Sequence, residues 1–177
     1  MSLPALGPDQ IYVGVAIMVP QPLAAPLAAA RRGFGDPEAE VIGPHITVVP
    51  PMAVRADAVG QVAAHVASVA AAGSPFTIEL RGSGTFRPVS PVVFVRVEGG
   101  ATQCENLERA LKQGPLAAPA RFAYRPHLTI ASEVDNAVLD RAQKAYAAYE
   151  ASFRATHLRL CSMRTGQRWR QVGEYAL

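Results

Sequence analysis

A five-residue pattern occurs twice in this chain, at residues 44–48 and at residues 126–130. Both copies read proline, histidine, apolar residue, threonine, apolar residue. Side chains of a strand alternate between its two faces, so each histidine shares a face with its threonine while the apolar residues line the other face. At about 3.3 Å of rise per residue, the imidazole and the hydroxyl of one copy stand roughly 6 to 7 Å apart, and both can reach one small anion. The repeat predicts two strands, one carrying His45 and Thr47 and the other His127 and Thr129.

The repetition is more informative than either copy alone. A single His-x-Thr is weak support for a functional site, because threonine favours half-buried strands for packing reasons. Two five-residue matches in 177 residues are a strong signal, since average residue usage makes the coincidence of order one in a million before the choice of pattern is allowed for.

With these two motifs the chain resembles the 2H phosphoesterases, which include the bacterial 2′-5′ RNA ligase-like proteins and the 2′,3′-cyclic phosphodiesterases. Members carry two His-x-Thr/Ser motifs on strands of two similar lobes that face each other across a cleft. His45 and His127 are 82 residues apart, which is similar to the family spacing. The resemblance extends along the whole chain, including residues 82–86 and 169–177. Ser132 is a departure, because family second motifs often have a basic residue at that position.

Periodicity along the chain predicts strand-helix-strand-helix-strand-strand, then helix-strand-helix-strand-strand. The hairpins at residues 87–91 and 164–166 require antiparallel pairing. This is an α+β pattern with a rough internal duplication. The resemblance implies two pseudo-symmetric lobes, each an antiparallel sheet with helices packed outside, that face each other across a central cleft.

Four local predictions accompany this order. Pro50 and Pro51 are expected to stop the first motif strand. Residues 102–105 match a capping box that opens a helix, and residues 138–149 have helical spacing up to Tyr149. The Gly- and Pro-rich loop at residues 33–44 is either a cover for the cleft or a plain connector.

Length and composition favour one globular domain over residues 1–177, long enough to bury roughly 70% of its unfolded surface. The longest apolar run, residues 11–19, is too short to span a bilayer and has no basic segment before it, so we expect neither a membrane span nor a secretory signal. Cys104 and Cys161 lack metal-type spacing and indicate free thiols in the cytoplasm. The sequence does not fix the oligomeric state, although a monomer is favoured.

Arginine makes up fifteen of the seventeen basic residues. Its planar guanidinium suits phosphate, but a genomic bias that also enriches alanine, glycine and proline explains the excess at least as well. The formal charge of +3 and the pI of about 9.1 permit an anionic substrate without requiring nucleic acid.

Two imidazoles on opposite sides of a phosphorus atom suit the ring opening of a 2′,3′-cyclic phosphate, the substrate that the resemblance implies. The reference pKa of histidine, about 6.5, allows one ring to be neutral as general base while the other is charged as general acid. Thr47 and Thr129 would donate to the non-bridging oxygens. The motifs alone do not assign the two roles, and the resemblance implies His45 as acid and His127 as base.

Other residues are predicted to bind the substrate around this pair. Arg125 has the strand parity of His127, so its guanidinium would point toward the same phosphate. Further candidates are three aromatic residues that could stack on a base, although strand aromatics usually belong to the core, and two arginines: Tyr124, Phe86, Trp169, Arg168 and Arg170.

No metal and no cofactor are expected. The chain has no His-Glu-x-x-His, no Cys-x-x-Cys, no carboxylate close to either motif histidine and no P-loop. His65 is predicted on a helix surface and His157 on a solvated strand face, so neither is expected to be a ligand.

These features predict a metal-independent phosphodiesterase that opens 2′,3′-cyclic phosphates of RNA ends or small nucleotides, with 2′-5′ RNA ligation as the reverse reaction. The alternative is a nucleotide- or RNA-binding module of the same fold, in which the histidines and threonines act only as hydrogen-bond donors. Turnover distinguishes the two functions, whereas the size of the substrate stays open.

Overall fold

The computed structural model describes residues 3, 5–119 and 122–177. The described residues form eight strands, four α-helices and two short 3₁₀ turns. In chain order these are β1 Gln10–Met18, α1 Ala24–Gly33, β2 His45–Arg55, the turn Ala56–Ala58, α2 Val59–Ala71, β3 Phe76–Thr85, β4 Val92–Gly99, α3 Ala101–Leu111, the turn Gly114–Leu116, β5 His127–Ser132, α4 Asn136–Ala145, β6 Glu150–Ala155, β7 His157–Met163 and β8 Arg170–Ala176.

All eight strands belong to one sheet in the order β6-β3-β4-β5-β2-β1-β7-β8. Every neighbouring pair is antiparallel. The sheet consists of two four-stranded halves that meet where β2 pairs with β5, at Ile46 and Leu128. The predicted α+β class and antiparallel pairing are confirmed, and the two lobes are halves of one continuous sheet.

The helices pack against one side of this sheet. Helix α2 contacts β7 and β8 and helix α3 contacts β2, whereas α1 contacts β5 and α4 contacts β3, β4 and β5. Val62, Val66 and Ala70, spaced four residues apart on α2, are fully buried. They join a buried cluster that also contains strand residues from both halves of the sheet. No helix of the described ranges is long and apolar enough to cross a membrane.

The motif strands alternate between the two sides of the sheet as predicted. Their apolar residues have no exposed surface: Ile46, Val48, Leu128 and Ile130. His45, Thr47, His127 and Thr129 are half-buried on the opposite side. We call that side, which carries these two histidines and two threonines, the histidine face.

Strand β2 does not stop at Pro50 and Pro51, and this prediction was wrong. The strand continues to Arg55 across a shift in its register with β1. Val49 lies opposite Val15 and Met52 lies opposite Val13, so the two prolines fall within the shift. Such a bulge accommodates residues that lack an N–H donor. The proline pair therefore bends a long strand at the middle of the sheet.

Two further predictions failed in the second half of the chain. Helix α3 begins at Ala101 after Gly100, whose φ is 84°, and no side chain caps it, so residues 102–105 are not a capping box. Helix α4 ends at Ala145, and the chain then forms β6, which pairs along β3 from Phe76 opposite Ala155 to Arg81 opposite Glu150. The helical spacing up to Tyr149 hid this edge strand.

We expect Leu128→Ala to lower the free energy of unfolding by about 2–5 kcal/mol, because it leaves a cavity where the two halves of the sheet meet. Urea unfolding followed by circular dichroism and by Trp169 fluorescence measures this change. Since the buried cluster spans both halves, the two signals should follow one transition.

The matched control is Val89→Ala, whose side chain is 70% exposed and whose effect should stay within about 0.5 kcal/mol. Two separate transitions would show that the halves of the sheet unfold independently.

Candidate active site

The two motif strands are neighbours at the centre of the sheet. Ile46 of β2 lies opposite Leu128 of β5 in an antiparallel pair. One further step of this register on each side places His45 opposite Thr129 and Thr47 opposite His127. Residues directly opposite each other project from the same face, with Cβ atoms about 4.5–5.5 Å apart. Each imidazole therefore has the threonine of the other motif across from it.

Both histidine rings are held by the same main-chain hydrogen bond. His45 Nδ1 donates to the carbonyl of Gly43 at 2.8 Å, and His127 Nδ1 donates to the carbonyl of Arg125 at 2.7 Å. A carbonyl oxygen only accepts, so Nδ1 carries the proton of each neutral ring and Nε2 keeps its lone pair. Each ring thus presents a bare Nε2 that can take up a proton.

Burial disfavours the charged form of both imidazoles. Desolvation lowers the pKa of His45 to about 4, with the charges of Arg31 and His127 acting in the same direction and the hydrogen bond to Gly43 opposing them. Desolvation also lowers the pKa of His127, with the charge of Arg125 adding to it and the hydrogen bond to the Arg125 carbonyl opposing it. The expectation of one neutral and one charged ring during the reaction stays a prediction. A bound phosphate would raise both pKa values through its negative charge.

Aromatic rings support His127 from the side of β4. Phe86 meets the imidazole edge to face at a centroid distance of 4.8 Å, and Phe94 lies 5.2 Å away. The two phenylalanines contact each other at 4.4 Å. Phe94 fills the space above Gly84, where an added Cβ would come within 2.8 Å of its ring. Phe86 contacts His127, and its predicted stacking on a base stays a prediction.

Tyr124 is hydrogen-bonded to the first motif strand, and its predicted stacking on a base stays a prediction. Its hydroxyl donates to the carbonyl of Thr47 at 2.9 Å, and its ring packs against the buried cluster. Burial raises the pKa of Tyr124, so the phenol stays protonated. This hydrogen bond ties the segment before β5 to β2.

Three other residues predicted to contact the substrate, Arg125, Arg168 and Trp169, lie at different places relative to the two histidines. Arg125 is exposed just before β5. Its guanidinium is close enough to His127 for its charge to contribute to the lowered pKa of that ring. Arg168 is exposed in the turn between β7 and β8, and its role stays a prediction. Trp169 lies on the histidine face, with its ring 3.8 Å from the place a Cβ would take on Gly14.

A buried ion pair that sequence reasoning missed lies next to His45. Arg31 is 4% exposed, and its Nε and Nη2 donate to Asp36 Oδ2 at 3.0 and 2.9 Å. Asp36 Oδ1 accepts from the Glu38 N–H at 2.8 Å and from Ser132 Oγ at 3.2 Å. The loop at residues 33–44 is therefore anchored to the end of β5. No local sequence pattern indicates this ion pair, because the position of Asp36 depends on its contact with Ser132 of β5.

A second arginine missed from the sequence is Arg96 on β4, directly opposite His127 on β5. Its position depends on the register between β4 and β5, which a single-strand pattern does not contain. Residues paired in this way project from the same face, so Arg96 belongs to the histidine face.

The other titratable groups lie outside this arrangement. His65 Nε2 donates to the carbonyl of Leu111 at 3.0 Å and ties α2 to α3, while His157 is exposed on β7. Cys104 and Cys161 are buried free thiols whose pKa values are raised by burial, to about 12 for Cys104. Within the described ranges, no group of three or more His, Cys, Asp or Glu side chains could hold a metal ion.

We expect Asp36→Asn to lower the free energy of unfolding by about 3–5 kcal/mol, because it leaves the Arg31 guanidinium buried without its counter-charge. The matched control is Glu40→Gln in the same loop, whose partner Arg32 is 3.4 Å away and exposed, and which should lose less than about 1 kcal/mol. Urea unfolding measures both. Similar small losses in the two variants would show that solvent reaches the Arg31 guanidinium.

The sequence model of the 2′-5′ RNA ligase superfamily matches residues 19–167. A protein of Bacillus cytotoxicus, whose name assigns it provisionally to the phosphoesterases, is 26% identical over 146 residues, 80% of this chain and 84% of that protein. A similarly named protein of Halalkalibacterium halodurans is 31% identical over 117 residues, 66% of this chain and 67% of that protein.

Solved structures show the same fold. E. coli LigT complexed with 3′-AMP aligns with a TM-score of 0.68 and 18% identity, covering 96% of this chain and 98% of that chain. E. coli LigT complexed with NADP+ aligns with a TM-score of 0.66 and 19% identity, covering 96% and 99%. The superfamily match spans both His-x-Thr motifs and most of the chain, so this protein belongs to the 2′-5′ RNA ligase superfamily of 2H phosphoesterases.

Proposed function

We propose that this phosphoesterase opens 2′,3′-cyclic phosphates, at RNA ends or on small nucleotides, by general acid–base catalysis between His45 and His127. The observation that carries the proposal is the pair of identically oriented imidazoles on neighbouring strands, each with a bare Nε2. The chemistry needs only these two rings and a water molecule, so the proposed reaction is independent of metal.

In the proposed reaction His127 Nε2 removes a proton from water as the water oxygen bonds to phosphorus. His45, protonated in the complex, donates its proton to the departing ribose oxygen as the phosphorus–oxygen bond of the ring breaks. The product is a phosphate monoester, and proton exchange with solvent restores both rings. This assignment of acid and base follows the family resemblance.

The negative charge of the substrate has a specific task in this scheme. Because burial lowers the pKa of His45 to about 4, its Nε2 carries no proton at neutral pH before the substrate binds. A phosphate placed between the rings favours the charged form of the imidazole and raises that pKa. Binding and protonation are therefore linked, and the enzyme acquires its general acid together with its substrate.

Thr47 and Thr129 are proposed to donate their hydroxyl protons to the non-bridging phosphate oxygens. Each hydrogen bond to a charged group contributes roughly 1.5–3 kcal/mol. Because each threonine lies across from the other motif's histidine in the register of Ile46 and Leu128, the two donors would hold the phosphate from both strands. The phosphorus would then sit between the two Nε2 atoms.

Nucleotide-sized ligands are supported by the neighbouring structures. E. coli LigT has been crystallised in complex with 3′-AMP and with NADP+. Both ligands carry a phosphate on a ribose hydroxyl, which is the position that a 2′,3′-cyclic phosphate occupies. The alternative, a binding module without turnover, predicts affinity for such ligands without ring opening.

We expect His45→Ala and His127→Ala each to lower kcat by about 100-fold or more, since a general acid or base contributes roughly 10²- to 10⁴-fold. Ring opening of nucleoside 2′,3′-cyclic phosphates, followed by chromatography, measures the rates. The matched control is His157→Ala, an exposed histidine outside the site, which should keep the wild-type rate. Near-full activity in either motif variant would end the two-histidine mechanism, and absence of turnover in the wild type would favour the binding module.

The pH profiles of kcat/KM and of kcat should differ, because the first reports the free enzyme and the second reports the enzyme–substrate complex. Activity requires one proton on one of the two Nε2 atoms, and burial lowers the pKa values of both rings from the ordinary 6.5. The bell-shaped profile of kcat/KM, which reports the free enzyme, should therefore centre below pH 6.5. The profile of kcat should centre at higher pH, because bound phosphate raises both pKa values. A kcat profile at lower pH than the kcat/KM profile would contradict this linkage.

A further inference from the structure

Arg96 is a cation on the histidine face that the proposed reaction does not use. It lies directly opposite His127 in the ladder between β4 and β5. Its side chain is exposed and forms no hydrogen bond or ion pair with any described residue. Its charge is therefore available to a ligand that occupies the histidine face.

The Arg96 guanidinium extends away from His127, across β3. A Cβ built on Gly82 would lie 3.3 Å from Arg96 Nη1, and one built on Gly84 would lie 3.4 Å from Arg96 Nε. Strands in a sheet are about 4.8 Å apart, so β3 lies roughly 10 Å from β5, with β4 between them. A phosphate held between the two imidazoles is too far away to contact this guanidinium, which is therefore free to contact a different group of the same ligand.

Arg96 lines a pocket of about 460 Å³ together with Ser83, Asp140, Gln143, Lys144 and Ala147. The acidic group of this pocket is already paired, because Arg87 Nη2 contacts Asp140 Oδ1 at 2.8 Å. Arg87 Nη2 also donates to Gln143 Oε1 at 3.1 Å. Arg96 and Lys144 are left as two cations without a counter-charge among the described residues, and the planar fork of arginine suits phosphate oxygens.

The two halves of the sheet differ at this position. Where Arg96 stands opposite His127, Met18 stands opposite His45. The duplicated motifs thus have a cation beside one histidine and an apolar thioether beside the other. This asymmetry is expected of a site whose ligand carries negative charge on only one side of the reacting phosphate.

We propose that Arg96 and Lys144 form a subsite for a second phosphate, so that the preferred substrates are cyclic phosphates that carry a further phosphate group. The second phosphate is either the internucleotide phosphodiester of an RNA end or a terminal 5′-phosphate. The identity of the reacting group rests on the proposed function, whereas the second subsite rests on Arg96 and its pocket.

Three substrates test this proposal: adenosine 2′,3′-cyclic phosphate, its 5′-phosphorylated form, and the dinucleotide ApA with a 2′,3′-cyclic phosphate end. Wild-type kcat/KM should be higher for at least one of the latter two than for the first. Arg96→Ala should reduce that ratio by about 10- to 150-fold, the equivalent of one charged hydrogen bond. The ratio is the readout because any effect of Arg96 on the His127 pKa acts on all three substrates and cancels.

Arg109→Ala, which removes an exposed arginine of α3, is the matched control and should keep the wild-type ratio. A preference for the dinucleotide alone identifies the internucleotide phosphate, and a preference for the 5′-phosphorylated mononucleotide alone identifies the terminal phosphate. A wild-type ratio near one, or a high ratio that survives Arg96→Ala, overturns the subsite while leaving the proposed function intact.

If no cyclic phosphate is opened, the proposed function fails and the subsite is tested by calorimetry. Adenosine 3′,5′-bisphosphate should then bind more tightly than 3′-AMP to the wild type, and Arg96→Ala should remove the difference. Equal affinities of the wild type for these two nucleotides would overturn the subsite independently of catalysis.

Discussion

The ladder contact between Ile46 and Leu128 determines where both motifs point. A strand has a side-chain period of two, so a slip of one residue in either strand would turn its histidine and threonine toward the helices and its apolar residues toward solvent. The complete burial of Ile46, Val48, Leu128 and Ile130 opposes such a slip. The hydrophobic core thus fixes the register of the site, and the four polar side chains share one face as a consequence.

The surroundings of the two imidazoles disfavour their charged forms. Desolvation lowers the pKa values of His45 and His127, and the charges of Arg31 and Arg125 act in the same direction. The positive charge of these two arginines, which disfavours a protonated ring, also favours an incoming anion. Arg31 keeps its position because Asp36 neutralises it, and Asp36 is itself held by Ser132 at the end of β5. The serine that replaces a basic residue common in family motifs therefore still acts near the site, through the loop it anchors.

The features that could be predicted from the sequence are those encoded by local periodicity. Alternation in the two motifs gave the faces of β2 and β5 correctly, and the hairpins gave antiparallel pairing. Strand β6 was missed because the residues before it continue the helical spacing of α4. The course of β2 through Pro50 and Pro51 depends on a bulge against β1, which the sequence of β2 alone does not contain. Arg31 and Arg96 were missed for a related reason: one acts through a loop that reaches β5, the other through the register of β4. Phe86 and Tyr124 were recognised as near the site, but their contacts with His127 and with the Thr47 carbonyl could not be predicted from local periodicity.

The two copies of the motif share the contact that orients the histidine and differ in the residue across the ladder. Each imidazole is oriented by a main-chain carbonyl two residues before it, supplied by Gly43 in one copy and by Arg125 in the other. A main-chain acceptor places no demand on residue identity, so the two copies can diverge in sequence while both keep a bare Nε2. The positions across the ladder use side chains and have diverged, to Met18 beside His45 and to Arg96 beside His127. Two similar halves can therefore keep the same orientation of their histidine rings and still present different side chains on the histidine face, because the rings are oriented by the backbone whereas the positions across the ladder differ in side chain.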